Sequence, residues 1–382
     1  MKQKFPFIYI ILIFINTLFV LKYTSRIDVF NEYLVALVYV LILSITSLVY
    51  VKINLGKYYK LLYVFTSILF FVFTIYLNIK VDGNILMVDR WSAMDVAIEA
   101  LLKGDYPYSA TDHLNGRTSN LPTLIFIGIP FYFIGSVGFL QSFAFLIFIY
   151  TTYITFDNYK DKLFCLFLLI LSPSYLWEVY VKSDLMSNFI FILSFMIYIK
   201  NKVSNKKSIN YLALSFFSTA LIMTRVIAVI PISLLVFKYY YKYSIRKKVY
   251  FTLVSSLTIG LFSYICFHNV SSLEHFKYHN PFDLQNRQLP TILSFILILV
   301  PLIYSYRIES TISLINSTIF FLFLPVFIAF MLSVLNHGFY LTVFKSYFDI
   351  SYFNIILPFL LFSITFNYKN ILLQQSTEAN NK

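Results

Sequence analysis

Apolar runs that match the length of a bilayer crossing follow one another along nearly the whole chain, separated by short polar segments. A transmembrane helix needs about 20 mostly apolar residues to cross about 30 Å of hydrocarbon. By that measure the pattern predicts spans at Phe5–Leu21, Tyr33–Val51, Leu61–Ile79, Leu121–Phe156, Leu163–Leu176, Leu185–Ile199, Ile209–Met223, Val226–Phe237, Val249–Phe267, Pro290–Tyr304, Thr311–Leu335 and Ser351–Phe366. Several are short for a full crossing. Leu121–Phe156 is too long for one, and Pro122, Gly128, Pro130, Gly135 and Gly138 interrupt it. It should break into two pieces, one of them re-entrant or interfacial. The expected architecture is an all-α polytopic membrane protein of about eleven to thirteen crossings, residues 1–382 forming a single transmembrane domain.

Composition supports that picture. The chain is 59% hydrophobic and 12% charged, against about 25% charged for soluble domains. With a mean hydropathy of +0.76, there is too little polar surface for a water-soluble globule. A net charge of +13 would suggest nucleic acid in a soluble protein. Here the basic residues gather in short loops, as positive-inside topology requires, and no nucleic-acid partner is implied. Lys52, Lys57 and Lys60 mark one cytoplasmic loop, Lys200, Lys202, Lys206 and Lys207 a second, and Lys238, Lys242, Arg246, Lys247 and Lys248 a third. Residues 80–120 differ: Lys80, Arg90, Lys103 and Arg117 face Asp82, Asp89, Asp95, Glu99, Asp105 and Asp112. That acidic loop belongs outside. So does a second loop, 268–289, where Glu274 and Asp283 balance Lys277 and Arg287. Lys2 and Lys4 precede the first apolar run, which ends in Leu21-Lys22-Tyr23-Thr24 without a small-residue cleavage site and so predicts a retained span. Cys165 and Cys266 each lie in an apolar run without a ligand spacing, which argues against a disulfide framework or a zinc site. No internal repeat is visible, which weighs against a secondary transporter.

Within the first outer loop, Trp91, Met94, Ile98, Leu101 and Leu102 fall at helical spacing, with Ser92, Asp95, Glu99 and Lys103 on the other face. Gly104 should end this helix. An amphipathic helix directly after a span is expected to lie in the interface, apolar side down. Asp89 stands at its start. It is a natural N-cap, and equally a carboxylate held at the membrane surface.

Asp89, the amphipathic stretch, Gly104-Asp105-Tyr106-Pro107-Tyr108 and the span start Ser119-Asn120-Leu121-Pro122 together resemble the GT-C superfamily of membrane glycosyltransferases. The pattern is most similar to the bacterial polyprenyl-phosphate-mannose-dependent mannosyltransferases. Leu171-Ser172-Pro173-Ser174-Tyr175-Leu176-Trp177, then Lys182-Ser183-Asp184, resembles that family's Ser-Pro-…-Trp segment. Met223-Thr224-Arg225 ahead of Pro231 resembles its basic residue before a Pro-containing span. Asn120-Leu121-Pro122 stands where Tyr-Pro-Pro is usual, and Ser183-Asp184 where Gly-Gln is usual. The resemblance covers Asp82 to Pro231.

It implies a GT-C-like bundle in a bacterial cytoplasmic membrane. A polyprenyl-phosphate-linked sugar, mannose in the nearest group, would meet a glycan or lipid acceptor at the outer face. Such a transfer needs a base for the acceptor proton, for which Asp89 is the candidate, and a cation for the leaving phosphate. Arg225 is the first candidate for that cation and Lys182 the second; a guanidinium can bind phosphate bidentately. Against this, Arg225 could simply mark a tight turn and snorkel to the headgroups. Asp184 could assist the base or cap the next span. Tyr106 and Tyr108 could stack on a sugar or join an aromatic belt, and His113 could touch acceptor or phosphate. His275 and His279 sit four apart but lack a third ligand, so no metal site is assigned and no cofactor is called for, although divalent-ion dependence stays open. The 268–289 loop is expected to cover the acceptor site, and the spans after Val249 to shape the lipid groove and acceptor side. Two other readings share the architecture: a polysaccharide polymerase, which should carry a large Arg-rich outer loop late in the chain, and a lipid-linked glycan transporter, which should carry charges mid-span.

Overall fold

The computed structural model describes residues 5–27, 29–285 and 289–380. Lys2, Lys4 and Arg287, which entered the charge count, lie outside the described residues. Among those residues the structure is helical and contains no strand, only an isolated bridge between Thr111 and Arg117. The helices are α1 (Phe5–Thr24), α2 (Glu32–Lys52), α3 (Tyr58–Lys80), α4 (Arg90–Lys103), α5 (Pro122–Phe133), α6 (Phe139–Thr155), α7 (Tyr159–Ile170), α8 (Pro173–Tyr180) and α9 (Leu185–Ser204). They continue with α10 (Tyr211–Ile222), α11 (Val229–Lys242), α12 (Ile245–Phe267), α13 (Leu273–Tyr278), α14 (Pro281–Gln285), α15 (Thr291–Tyr304), α16 (Thr311–Val343) and α17 (Leu357–Asn380).

Among the described residues five helices are long and apolar enough to cross a membrane, namely α1, α2, α3, α12 and α16. The pair α7 and α8, bent by 64° at the Leu171-Ser172-Pro173 break, makes a sixth if read as one span. Proline explains the bend, because Pro173 starts α8 at a position where its missing N–H costs nothing. The helices α5, α6, α10 and α15 are apolar but shorter; the 12 residues of α10 reach only about 18 Å. These apolar helices define a multi-pass integral membrane protein.

The outward faces carry the same message. Leu34, Leu37, Leu41, Ile45 and Leu48 are exposed along α2, and Val249, Leu253, Leu257, Leu261 and Tyr264 along α12. Each series repeats every three or four residues, so each forms a continuous apolar stripe on one helix face. Patches of that extent are not left bare to water, and lipid chains would cover them. Inside, α9 is buried around most of its circumference, and Leu357–Thr365 of α17 is wholly buried. The first helix packs on α2 and α17, and the side-chain oxygen of Asn16 accepts from both the backbone N–H and the hydroxyl of Ser174.

Charge sorts the two ends of the bundle. At one end, the Lys60 ammonium lies over the Tyr159 ring, Lys247 over Tyr211, and Lys200 and Lys238 reach the carbonyls of Glu309 and Ile308. The other end carries the acidic 80–120 loop. As its proline and glycine content predicts, Leu121–Phe156 splits into α5 and α6. The start of α5 is pinned by a 3.1 Å bond from Thr123 N–H to the Met223 carbonyl. Just past its end, Ser136 donates to Asn78 at the exit of α3. Both ends of α5 therefore lie at the loop end of the bundle.

Candidate functional site

The 80–120 loop forms a small structure of its own on this end. The amphipathic helix predicted from Trp91 onward is α4, closed by Gly104 in the left-handed conformation (φ 81°). Its apolar face does not lie down on lipid as expected. Met94 and Ile98 pack against Gly128 of α5, so close that a Cβ at Gly128 would fall 2.7 Å from the Met94 sulfur. Of the predicted apolar face, Leu102 alone is largely exposed.

Asp89 occupies the position before α4, but its carboxylate caps nothing. The backbone there is helical (φ −90°, ψ −7°) rather than extended as in a side-chain N-cap. The carboxylate is turned instead toward Gly116 and Asp112. Burial raises its pKa above the ordinary carboxylate value; the neighbouring Arg90 opposes the rise, and Asp112 and Asp349 add to it. This half-buried acid is therefore easier to protonate than a free aspartate, the property a base needs to hold a proton in transit.

Arg90 is tied down from the far end of the chain. It forms an ion pair with Asp349, donates to the Ser351 hydroxyl at 2.8 Å, and lies 5.4 Å from the centre of the Tyr352 ring. Burial pushes the Asp349 carboxyl up, but Arg90 and the Ser351 hydrogen bonds outweigh it and hold the group below its usual range.

Arg225 does not snorkel. Its side chain is only 4% exposed and pairs with Asp184, which is 3% exposed. It also donates to Asn120 at 3.0 Å, while its Nε is buried with no hydrogen-bond partner among the described residues. Asp184 precedes α9 but, like Asp89, makes no cap bond. Glu178, fully buried on α8, supplies that bond by accepting the Met186 N–H at 3.2 Å, and Asn354 holds its other oxygen at 2.8 Å. Asp184 is thereby free to face Arg225.

Arg225 lines a groove that is open on one side. The other polar groups in its lining are Gln285, Ser294 and Tyr352; the walls are apolar, with Ile230, Leu297, Val326 and Phe348 among them. Tyr352 thus touches the groove on one side and the Arg90–Asp349 pair on the other. From the second outer loop, Gln285 and Tyr278 reach the neighbouring segments. Gln285 accepts from the Val226 N–H at 2.7 Å and donates to the Ser119 carbonyl, and Arg117 lies over the Tyr278 ring at 4.5 Å.

The remaining expected site residues sit elsewhere. Lys182 is nearly buried and strained into a positive φ of 55°. Its ammonium lies 5.6 Å from the Trp91 ring and burial lowers its pKa. It does not line the groove with Arg225. Tyr106 and Tyr108 are buried: Tyr108 stacks on Phe267 at 5.0 Å, and Tyr106 packs on Tyr108 and His275. His113 has both ring nitrogens engaged, at 2.5 Å with Ser92 and 2.8 Å with the Leu86 carbonyl. Sequence reasoning missed Arg90, Glu178, Asp349 and Tyr352. The spans after Val249 were expected only to shape the groove, yet Asp349 and Tyr352 come from there. Their signal was an isolated pair of charges, Lys345 and Asp349, between two apolar runs.

No protein-family model, curated protein or solved structure matches the chain.

Proposed function

We propose that this protein is a membrane glycosyltransferase of the GT-C kind, which moves a sugar from a polyprenyl-phosphate donor to a glycan or lipid acceptor. The observation that carries this reading is the groove: an elongated lipid needs apolar walls, its phosphate needs a cation, and the lining combines apolar walls with buried Arg225. Arg225 lines the groove, and its Nε, closed off from the groove, has no hydrogen-bond partner among the described residues, so a phosphate oxygen can engage it once the side chain shifts. Its Nη2 is already committed to Asp184 and Asn120, an arrangement that fixes the guanidinium plane before the ligand arrives. Asp89 takes the proton of the acceptor hydroxyl as its oxygen bonds to the anomeric carbon. The bond from that carbon to the phosphate oxygen breaks, and polyprenyl phosphate leaves with the electron pair toward Arg225. One base and one direct displacement give inversion at the sugar.

In this reading the basic end faces the cytoplasm, the 80–120 loop faces outward, and the shorter helices complete about eleven to thirteen crossings. The protein sits in a bacterial inner membrane. A polymerase or a transporter of lipid-linked glycans would share the bundle. The cluster of Asp89, Arg90 and Asp349 at one end of the bundle favours chemistry there over transport. The test is sugar transfer from a panel of radiolabelled polyprenyl-phospho-sugars, in membranes holding wild type or Asp89→Asn. Transfer by wild type, lost in the variant at equal membrane abundance, supports the assignment. Equal transfer by both removes Asp89 as base, and no transfer from any donor to a broad acceptor pool overturns the reading.

A further inference from the structure

Asp112 plays no part in the scheme above, yet its placement is unusual. It is 6% exposed, in a loop, and its Oδ1 accepts the N–H groups of Leu114 at 2.8 Å and Gly116 at 2.9 Å. Those two bonds fix the carboxyl plane. Oδ2 is left buried with no hydrogen-bond partner among the described residues. It is aimed at the same spot as the Asp89 carboxylate: a Cβ added to Gly116 would fall 2.6 Å from Asp112 Oδ2 and 3.1 Å from Asp89 Oδ2. Only a residue without a side chain lets the two acids converge there.

We propose that Asp112 is the proton partner of Asp89, the two carboxyl groups sharing one proton across Gly116. Two carboxylates that face each other at partly dry positions do not both ionise readily; one proton between them removes the repulsion and satisfies the orphaned oxygen. The other charged groups near Asp89 do not take over this role. Arg90 beside it is committed to Asp349, which belongs to the segment ahead of α17. His113, next to Asp112, is committed to Ser92 and Leu86. In the transfer step the shared proton rests on Asp112 Oδ2, which leaves Asp89 ionised to take the acceptor's proton, so that each acid then carries one. Asp112 is therefore a positioning residue acting through Asp89, and this role rests on the reading of Asp89 as the base.

The proposal has a test that needs no turnover. Dicyclohexylcarbodiimide modifies protonated carboxyls in apolar surroundings, so the pH dependence of its reaction at Asp89, read by mass spectrometry in the full-length protein, reports the shared proton. In Asp112→Asn the amide keeps an oxygen for Leu114 and Gly116 and turns an N–H toward Asp89, which favours the Asp89 carboxylate. The labelling midpoint should fall by about one pH unit, on the order of tenfold less labelling at a fixed pH above it. Gly116→Ala keeps both acids but drives them apart, and should move the midpoint the same way; it serves if Asp112→Asn does not accumulate. An unmoved midpoint overturns the pairing. A moved midpoint in a protein that transfers no sugar would overturn the transferase reading and leave the pairing standing. Intact transfer with an unmoved midpoint would do the reverse.

Discussion

Replacing Asp184 with asparagine tests the electrostatic frame of the site. The side chains of Asp184 and Arg225 are 3% and 4% exposed, so neither charge is solvated by water. Removing one partner of such a pair leaves the other buried and uncompensated, at a cost of about 3–5 kcal/mol. The asparagine oxygen still accepts from Arg225, and Asn120 stays at 3.0 Å, which places the expected loss near the low end, about 3 kcal/mol. The two cysteines provide the assay. Cys165 and Cys266 are free and buried, so a maleimide dye that fluoresces on reacting with thiols reports unfolding as detergent-solubilised protein is heated. Asp184→Asn should melt well below wild type. Glu99→Gln, which removes the exposed partner of Lys103 on α4, should melt with wild type because water already screens that pair. The double variant Asp184→Leu/Arg225→Met should recover much of the lost stability, since apolar groups can replace a buried pair with little net cost. It should still fail to bind donor. If Asp184→Asn melts with wild type, the pair does not hold this end of the bundle together.

Asp89→Asn should lower transfer by about 10²–10⁴-fold, the usual contribution of a general base, measured at matched abundance in membranes. Because burial raises the Asp89 carboxyl, its base form fills only as pH climbs past that raised value; transfer should rise along an acid limb above the ordinary carboxylate range. The same shift makes protonation favour the folded state, so Asp89 costs stability at neutral pH and Asp89→Asn should melt no lower than wild type. Gly104→Ala has open space for its methyl group but a φ of 81°, so the left-handed backbone alone should cost about 1–2 kcal/mol in the same melting assay. Tyr108→Ala, which empties a fully buried site stacked on Phe267, should cost about 3–5 kcal/mol, whereas Tyr106→Phe should leave donor affinity unchanged.

The membrane class, the break in Leu121–Phe156, the α4 helix and its Gly104 terminus could all be read from the order of apolar and polar residues. Each depends on contacts within a few residues, which a linear pattern records. The fate of the α4 apolar face could not be read this way. Whether Met94 and Ile98 meet lipid or Gly128 depends on α5 folding back to the same end, a tertiary fact. The burial of Tyr106 and Tyr108 could not be read for the same reason: α12 arrives beside them and covers the rings with Phe267. The capping role of Asp89 was the expectation that local propensity favours most, and the backbone conformation at one residue defeats it.

What the linear pattern could not supply at all was the pairing of charges at the loop end. Arg90 meets Asp349, 259 residues away, and Asp184 meets Arg225 across the start of α9 and the turn before α11. Glu178 has been given a backbone N–H and an amide to hold. These commitments leave Asp89 and Asp112 as neighbouring buried or half-buried acids at this end, with no salt-bridge partner among the described residues. Pairing thus occupies Arg90 and Arg225 with Asp349 and Asp184, and leaves Asp89 and Asp112 converging without a salt bridge to either. A carboxyl whose neighbour is another carboxyl must negotiate a proton, while one whose neighbour is arginine has none to negotiate. In the transferase proposed above, frame and chemistry therefore differ not in residue type, since both are built from aspartates, but in which aspartates the fold has left without a salt-bridge partner.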